Sequence, residues 1–409
     1  SLENRNKTRK ITLPASASCD EIKTISSSKP TKQGHSKTKK RAIWFSKSAQ
    51  LAKKYLLCNN LDVILVDERS DADLIWARTM DEYDNLYSDI KQFQLINKIY
   101  AQGFLSSKSL LSNSLYEYER FVTKDQIALD SFYKKTFDLS DLEQREKAIK
   151  AIKERKKEGV WIMKPAGLSE GRGVKIIDDH KKLIKMLQKK DKLTFDCEGR
   201  EENYILQEYI KNPFLIEGRK SECRFYFLIL SFNPMKVLLF SDAQVEIALE
   251  EFKMSDYDND GVHKSKDLRE DRNRYYEDVN NPIWNFKMVV DYVEKECKEK
   301  ECRRGIKTRV EEIIKYVCCA VRKKILDRSL DKGLGFGIYG LDVILDEDLN
   351  PWLVEVQIGP SMWIPSINIK TMIPTMVNEA VSIAFEMQDK IKDEEPLEDF
   401  KSVKYFEWL

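Results

Sequence analysis

The chain has 409 residues, enough to bury a sizeable core in two or three lobes. Lysine plus arginine number 70 against 68 aspartates and glutamates, so no global field draws the chain to nucleic acid or to a membrane surface. Charged residues make up 34 %, no apolar run reaches the length of a membrane span, no signal peptide is visible, and three histidines leave little room for histidine-based catalysis.

Residues 1–41 hold eleven Lys/Arg against Glu3, Asp20 and Glu21, a net of +8, with almost no apolar periodicity. Such a segment is expected to be disordered in isolation, as a solvated tail or as a tether to an acidic polymer. The aromatic interleaving of a single-strand nucleic-acid binder is missing. Strands are predicted over 42–45, 62–66 and 73–76 and a helix over 49–57, a small α/β lobe that runs to residue 140. Leu105-Ser106-Ser107-Lys108 opens a helix with Ser at its cap. A highly charged, exposed helix over 141–157 begins a central lobe that extends to residue 232. A C-terminal lobe follows over 233–392. It has a polar stretch over 255–281, helices over 287–300 and 306–328, a hairpin over 337–360, a loop over 360–374 and a closing helix over 375–392. Residues 393–409 read as a tail, acidic and then aromatic through Tyr405, Phe406 and Trp408. Asp256 to Gly261, with Asp267 at the twelfth position, nearly fits a calcium loop. Asp stands there in place of the bidentate Glu, and His263 fills a position that is normally apolar. An acidic surface loop is the simpler reading. The eight cysteines include no CxxC pair and read as reduced, without zinc.

Two segments carry chemistry. Val160 to Pro165 is a short apolar strand that ends in Lys164. Gly167-Leu168-Ser169-Glu170-Gly171-Arg172-Gly173 follows, and then the apolar run from Val174 to Ile177. A glycine-rich loop between two strands lets backbone N–H groups close over phosphates, and a lysine supplies a point charge. Tight hairpins also look like this. The second segment is Gly337 to Pro360, two strands joined by an acidic turn. Glu355 and Gln357 are two residues apart and share a face, opposite Asp342 on the other strand. That is an oxygen cage suited to Mg²⁺, or else a buried hairpin with an acidic turn. Between them lie a strand from Tyr204 to Ile210 and a strand on which Lys220, Glu222 and Arg224 alternate onto one face.

In this order the parts resemble the tubulin–tyrosine ligase-like proteins, which have the ATP-grasp fold, an α/β (α+β) architecture with antiparallel sheets around a nucleotide. The resemblance covers residues 42–385. It rests on Gln94 to Asn97 with Lys108, Trp161 to Gly173, Gln207 to Pro213, Gly218-Arg219-Lys220, Arg224, and Tyr339 to Pro360. Members join an amino acid to a tubulin carboxyl group through an acyl phosphate made with ATP. The resemblance implies that Lys164 and Lys220 hold phosphates, with Gly171, Gly173 and Glu222 beside them. The backbone of Gln207, Glu208, Tyr209 and Ile210 would hold adenine, and Lys108 would reach the terminal phosphate. Asp342, Glu355 and Gln357 would hold Mg²⁺, and Arg224 would stabilise charge on the reacting groups. It further implies tubulin or microtubules and a free amino acid, glutamate or glycine, as partners. It places the chain in the cytoplasm on the microtubule cytoskeleton, with cilium and basal body as candidate sites.

Four departures fall mostly on the amino-acid side. Glu222 stands where the family has Asp, Gln357 where it has Asn, and Glu246 where it usually has Arg. The His-Leu-Thr-Asn motif is reduced to Val262-His263-Lys264-Ser265-Lys266. The ligase reading therefore has an alternative, a microtubule-associated scaffold or regulator with an impaired ligase site. A ligase for a small peptide is a third reading, supported by the fold alone.

Overall fold

A computed structural model describes residues 40–58, 62–77, 87, 90–122, 126–155, 159–168, 171–189, 194–197, 200–257, 260–263, 281–296, 302–329 and 334–409. The basic tail therefore lies outside the described residues except at its end, and so does much of the calcium-like loop.

Three sheets organise the chain. The first is parallel, in the order β14 (Leu334–Gly335), β4 (Leu95–Ile96), β3 (Leu74–Trp76), β1 (Arg41–Phe45), β2 (Val63–Leu65). The helix Gln50–Cys58 lies between β1 and β2, because parallel neighbours need a crossover rather than a tight turn. The second is a small antiparallel sheet, β5 (Thr136–Asp138), β9 (Arg200–Glu208), β6 (Trp161–Pro165), β7 (Lys175–Ile177), with β8 (Thr194–Cys197) on β9. The third is the large antiparallel sheet β13 (Ile283–Asn285), β12 (Met235–Ile247), β11 (Arg219–Phe232), β15 (Gly337–Leu345), β16 (Pro351–Ile358). In it β10 (Leu215–Ile216) pairs with β11, and β17 (Phe406–Trp408) pairs with β12.

β11 explains where the site opens. Its odd positions Cys223, Phe225, Phe227 and Ile229 pack with Val310, Ile314 and Val317 of the helix Cys302–Ser329. Its even positions Tyr226, Leu228 and Leu230 pack with Met376, Val377 and Ala380 of the helix Met372–Lys392. A strand buried on both faces reads as a continuous apolar run, as Phe225 to Leu230 does. On the even face the apolar residues give way to Lys220, Glu222 and Arg224. The register sets Glu222 opposite Glu246, Arg224 opposite Gln244 and Asp342, and Asp342 opposite Glu355. One end of this face is thus core and the other is polar.

The expected elements 42–45, 62–66, 73–76, 49–57, 141–157, 287–300, 306–328 and 375–392 all have counterparts within a few residues, and Ser107 caps the helix Lys108–Tyr118. Several boundaries need correction. Long-range pairing decides them, and a division of the sequence into contiguous blocks cannot express that. β11 belongs to the large sheet rather than to the 141–232 lobe, and β5 belongs to the small sheet rather than to the 42–140 lobe. Residues 393–409 are not a free tail. Glu379 of the helix Met372–Lys392, itself buried, accepts backbone N–H bonds from Lys404, Tyr405 and Phe406 at 2.6, 2.8 and 3.0 Å. Seven residues on, Glu386 accepts from the N–H groups of Lys401 and Ser402 at 2.7 and 2.8 Å. The helix also begins three residues earlier than expected. Pro374 fits in its first turn, where a missing N–H costs nothing. Among the described residues no helix is long and apolar enough to cross a membrane.

Candidate functional site

The small sheet supplies the first wall. β6 and β7 are antiparallel, and the turn between them places Gly171 and Gly173 at φ of 69° and 68°, a left-handed conformation that favours glycine. Lys164 near the end of β6 is buried, and its ammonium donates to Gln207 Oε1 at 2.8 Å. Gln207 is fixed in turn by donating to Thr136 Oγ1 at 2.8 Å. Burial, and then the neighbouring Lys108 charge, push the Lys164 ammonium down to about 8.

Lys108 opens its helix and crosses to both other walls. Its ammonium donates to the Leu168 carbonyl of the glycine loop at 2.7 Å and pairs with Glu355 at 2.9 Å. Lys220 reaches in from β11, bonded to Tyr209 Oη at 3.1 Å and to the His263 carbonyl at 3.3 Å. Three lysines from three parts of the fold therefore border one cleft. Gly171, Gln207, Glu208, Tyr209, Ile210, Glu222 and Glu355 line the same cleft, and its apolar wall includes Ile162, Leu168, Val174, Ile344 and Val354. The backbone N–H groups of Glu208 and Tyr209 donate to the Lys135 and Val160 carbonyls, so these two are engaged inside the fold.

The carboxylate wall is more tightly paired than expected. Asp342, fully buried, accepts from Arg224 Nε at 2.7 Å and from its terminal nitrogen at 2.8 Å, a bidentate pair. Gly340 makes room for this arginine, since a Cβ there would sit 3.1 Å from Arg224 Cδ. Burial opposes the charge on Arg224, but the Asp342 carboxylate outweighs it and holds the guanidinium well above its ordinary pKa. Glu222, Asp342 and Glu355 each offer an oxygen, and these lie within 4.8 Å of one another. Three hard oxygen donors that close together suit Mg²⁺. Gln357 donates its amide N–H to Glu355, which leaves its amide oxygen as a further hard donor beside the carboxylates. Glu246, across the strand from Glu222, accepts from Gln244 Nε2 at 2.9 Å. Gly173, Arg224, Asp342 and Gln357 adjoin the cleft without lining it.

Cys223 is not a nucleophile candidate, because burial pushes its thiol up to about 12. Cys223, Cys302, Cys318 and Cys319 form no disulfide. Sequence reasoning missed His263 as part of this cleft. It entered only as a misfit in two motifs, and nothing local marks the carbonyl and the ring nitrogen that meet Lys220 and Tyr209.

The tubulin-tyrosine ligase family profile matches residues 86–392. Among curated relatives, tubulin glycylase 3D of Tetrahymena thermophila is 22 % identical over 340 residues, which cover 80 % of this chain and 32 % of that protein. Probable tubulin polyglutamylase TTLL9 of Rattus norvegicus is 26 % identical over 321 residues, covering 71 % of this chain and 67 % of that one. Probable tubulin polyglutamylase TTLL2 of Homo sapiens is 28 % identical over 216 residues, covering 50 % of this chain and 32 % of that one. The chain thus spans about a third of the glycylase and about two thirds of the TTLL9 protein. The mixed α/β architecture, with two antiparallel sheets bordering a cleft, agrees with the ATP-grasp fold expected from the resemblance. With three quarters of its length matched, the chain belongs to the tubulin–tyrosine ligase family.

Proposed function

We propose that the chain is an ATP-dependent carboxylate–amine ligase that joins an amino acid, glutamate or glycine, to tubulin. One observation carries this reading: Lys108, Lys164 and Lys220 converge on the cleft where Glu222 and Glu355 lie, with Asp342 directly behind. Ammonium groups suit nucleotide phosphates, and the carboxylates suit the Mg²⁺ that accompanies them. Relatives named as tubulin glycylases and polyglutamylases support the substrate class.

When bound, ATP would supply a phosphoryl group to activate an acceptor carboxylate, leaving ADP, so that an α-amine could form the amide with release of phosphate and a proton. Mg²⁺ supplies charge neutralisation between phosphates and would be held by Glu222, Asp342 and Glu355. Lys164 and Lys220 bind the phosphates, and the desolvated Lys164 gains most from an anionic partner. Lys108 joins the glycine loop to Glu355 and would hold the terminal phosphate. Gln357 orients Glu355. Arg224 holds Asp342 in place and adds positive charge beside the reacting groups. Ile162, Val174 and Ile344 wall the base from water. Residues 1–41 add an electrostatic tether to acidic microtubule surfaces, which would place the chain on the cytoplasmic or ciliary microtubule cytoskeleton.

The test is incorporation of labelled glutamate and glycine into microtubules, each with and without ATP and Mg²⁺. Incorporation of one of them that requires both ATP and Mg²⁺ supports the reading. Nucleotide binding with no incorporation of any amino acid leaves a scaffold or regulator in its place.

A further inference from the structure

We infer that His263 is a positioning residue for the nucleotide cleft, acting through Lys220; this rests on the reading of the cleft as a nucleotide site. His263 ends the short helix Asp260–His263 in the connection between β12 and β13, more than forty residues along the chain from Lys220. Its backbone carbonyl accepts from the Lys220 ammonium at 3.3 Å. Its Nδ1 lies 2.8 Å from Tyr209 Oη, and that same oxygen lies 3.1 Å from the Lys220 ammonium. An ammonium can only donate, so Tyr209 Oη accepts from Lys220, and the same oxygen is hydrogen-bonded to His263 Nδ1. The contacts run from Lys220 to Tyr209 to His263.

All three side chains are buried, and all three line the cleft. Aromatic rings hold the imidazole in place. Tyr257 stacks on it at 6.0 Å and 19°, Phe252 meets it edge-on at 5.6 Å, and Tyr209 meets it edge-on at 5.8 Å. A lysine side chain has rotamer freedom to lose on binding a phosphate. Tyr209 and His263 restrict that freedom before the ligand arrives, which lowers the cost of binding. The short helix Asp260–His263 thereby contributes to the nucleotide site.

Calorimetric titration of the full chain with MgATP tests this. His263→Ala is expected to weaken binding about tenfold, and Tyr209→Phe by a similar factor, with melting temperatures close to that of the parent. His263→Asn is expected to restore affinity, because its side-chain amide, both donor and acceptor, occupies the place of Nδ1. In a Lys220→Met background, His263→Ala is expected to have less than about a twofold further effect, since its action runs through Lys220. Parent-like affinity in both His263→Ala and Tyr209→Phe overturns the inference. So does an undiminished effect of His263→Ala in the Lys220→Met background, which would mark a general structural role. Failure of the unaltered chain to bind MgATP overturns the nucleotide reading itself, and this inference with it.

Discussion

Glu355 and Glu379 are both buried carboxylates in the C-terminal half of the chain, held by opposite kinds of partner. Glu379 accepts N–H groups from the backbone of Lys404, Tyr405 and Phe406, which cannot withdraw without undocking β17. Glu355 faces the ammonium of Lys108 and the amide of Gln357, side chains that can re-aim when a ligand arrives. A carboxylate satisfied by backbone is part of the fold, whereas one satisfied by mobile side-chain donors is available for chemistry. The same distinction separates Arg224, locked bidentate on Asp342, from Lys164, whose ammonium donates to the neutral Gln207 amide.

The largest effect is expected at Glu379. Glu379→Ala strands the buried Phe406 N–H and the part-buried N–H groups of Lys404 and Tyr405 and should cost about 3 kcal/mol in urea unfolding, with MgATP affinity of the folded protein unchanged. A small stability loss there would break the comparison from the structural side.

Lys164→Met should do the reverse. Affinity for MgATP should fall roughly a hundredfold, about 3 kcal/mol, while stability holds or rises. The pH dependence has a definite sign. Lys164 and Lys98 are each pushed by burial to about 8, below the ordinary lysine value. Their charged forms are disfavoured in the fold, so the penalty is complete below pH 8. It is relieved as pH rises from about 8 to about 10, where the unfolded chain still binds these protons. Unfolding of the ligand-free chain should therefore show stability increasing across that window. Lys164→Met should flatten the rise in part, with Lys98 retaining the remainder. A falling curve that Lys164→Met leaves unchanged would contradict the assignment.

Glu355→Gln should come next, with about a tenfold loss in MgATP affinity that disappears when Mg²⁺ is omitted. The stability cost should be smaller than that of Glu379→Ala, because Lys108 keeps the Leu168 carbonyl. Glu246→Arg should have the smallest effect. It replaces a like-charged neighbour of Glu222 with an opposite charge and should favour labelled glutamate over glycine by a few-fold. A shift toward glycine would place the amino-acid site elsewhere.

The parts of this site built from neighbours in sequence were legible in the chain. Glu355 and Gln357 two apart on a strand, Asp342 across a short turn, and glycines after Lys164 follow from strand periodicity and turn geometry. Ser107 as a cap is equally local. What was not legible is pairing between distant segments. Nothing in the sequence says that Arg224 lies beside Asp342, 118 residues away, and so engages both oxygens of a predicted metal ligand. Nor does it say that Phe406 joins β12 or that Leu334 joins β4. His263 was obscured for the same reason, since its role comes from a backbone carbonyl and a ring nitrogen meeting residues 43 and 54 positions away.

The central claim is that Lys164 is a desolvated cation placed for a phosphate. Its most direct test is MgATP titration at pH 8.5 in two buffers of different ionisation enthalpy. Phosphate beside Lys164 should raise its pKa from about 8, so binding should take up a fraction of a proton from buffer, and Lys164→Met should abolish most of that uptake. Binding with no net proton uptake, or with uptake that Lys164→Met leaves intact, would contradict it.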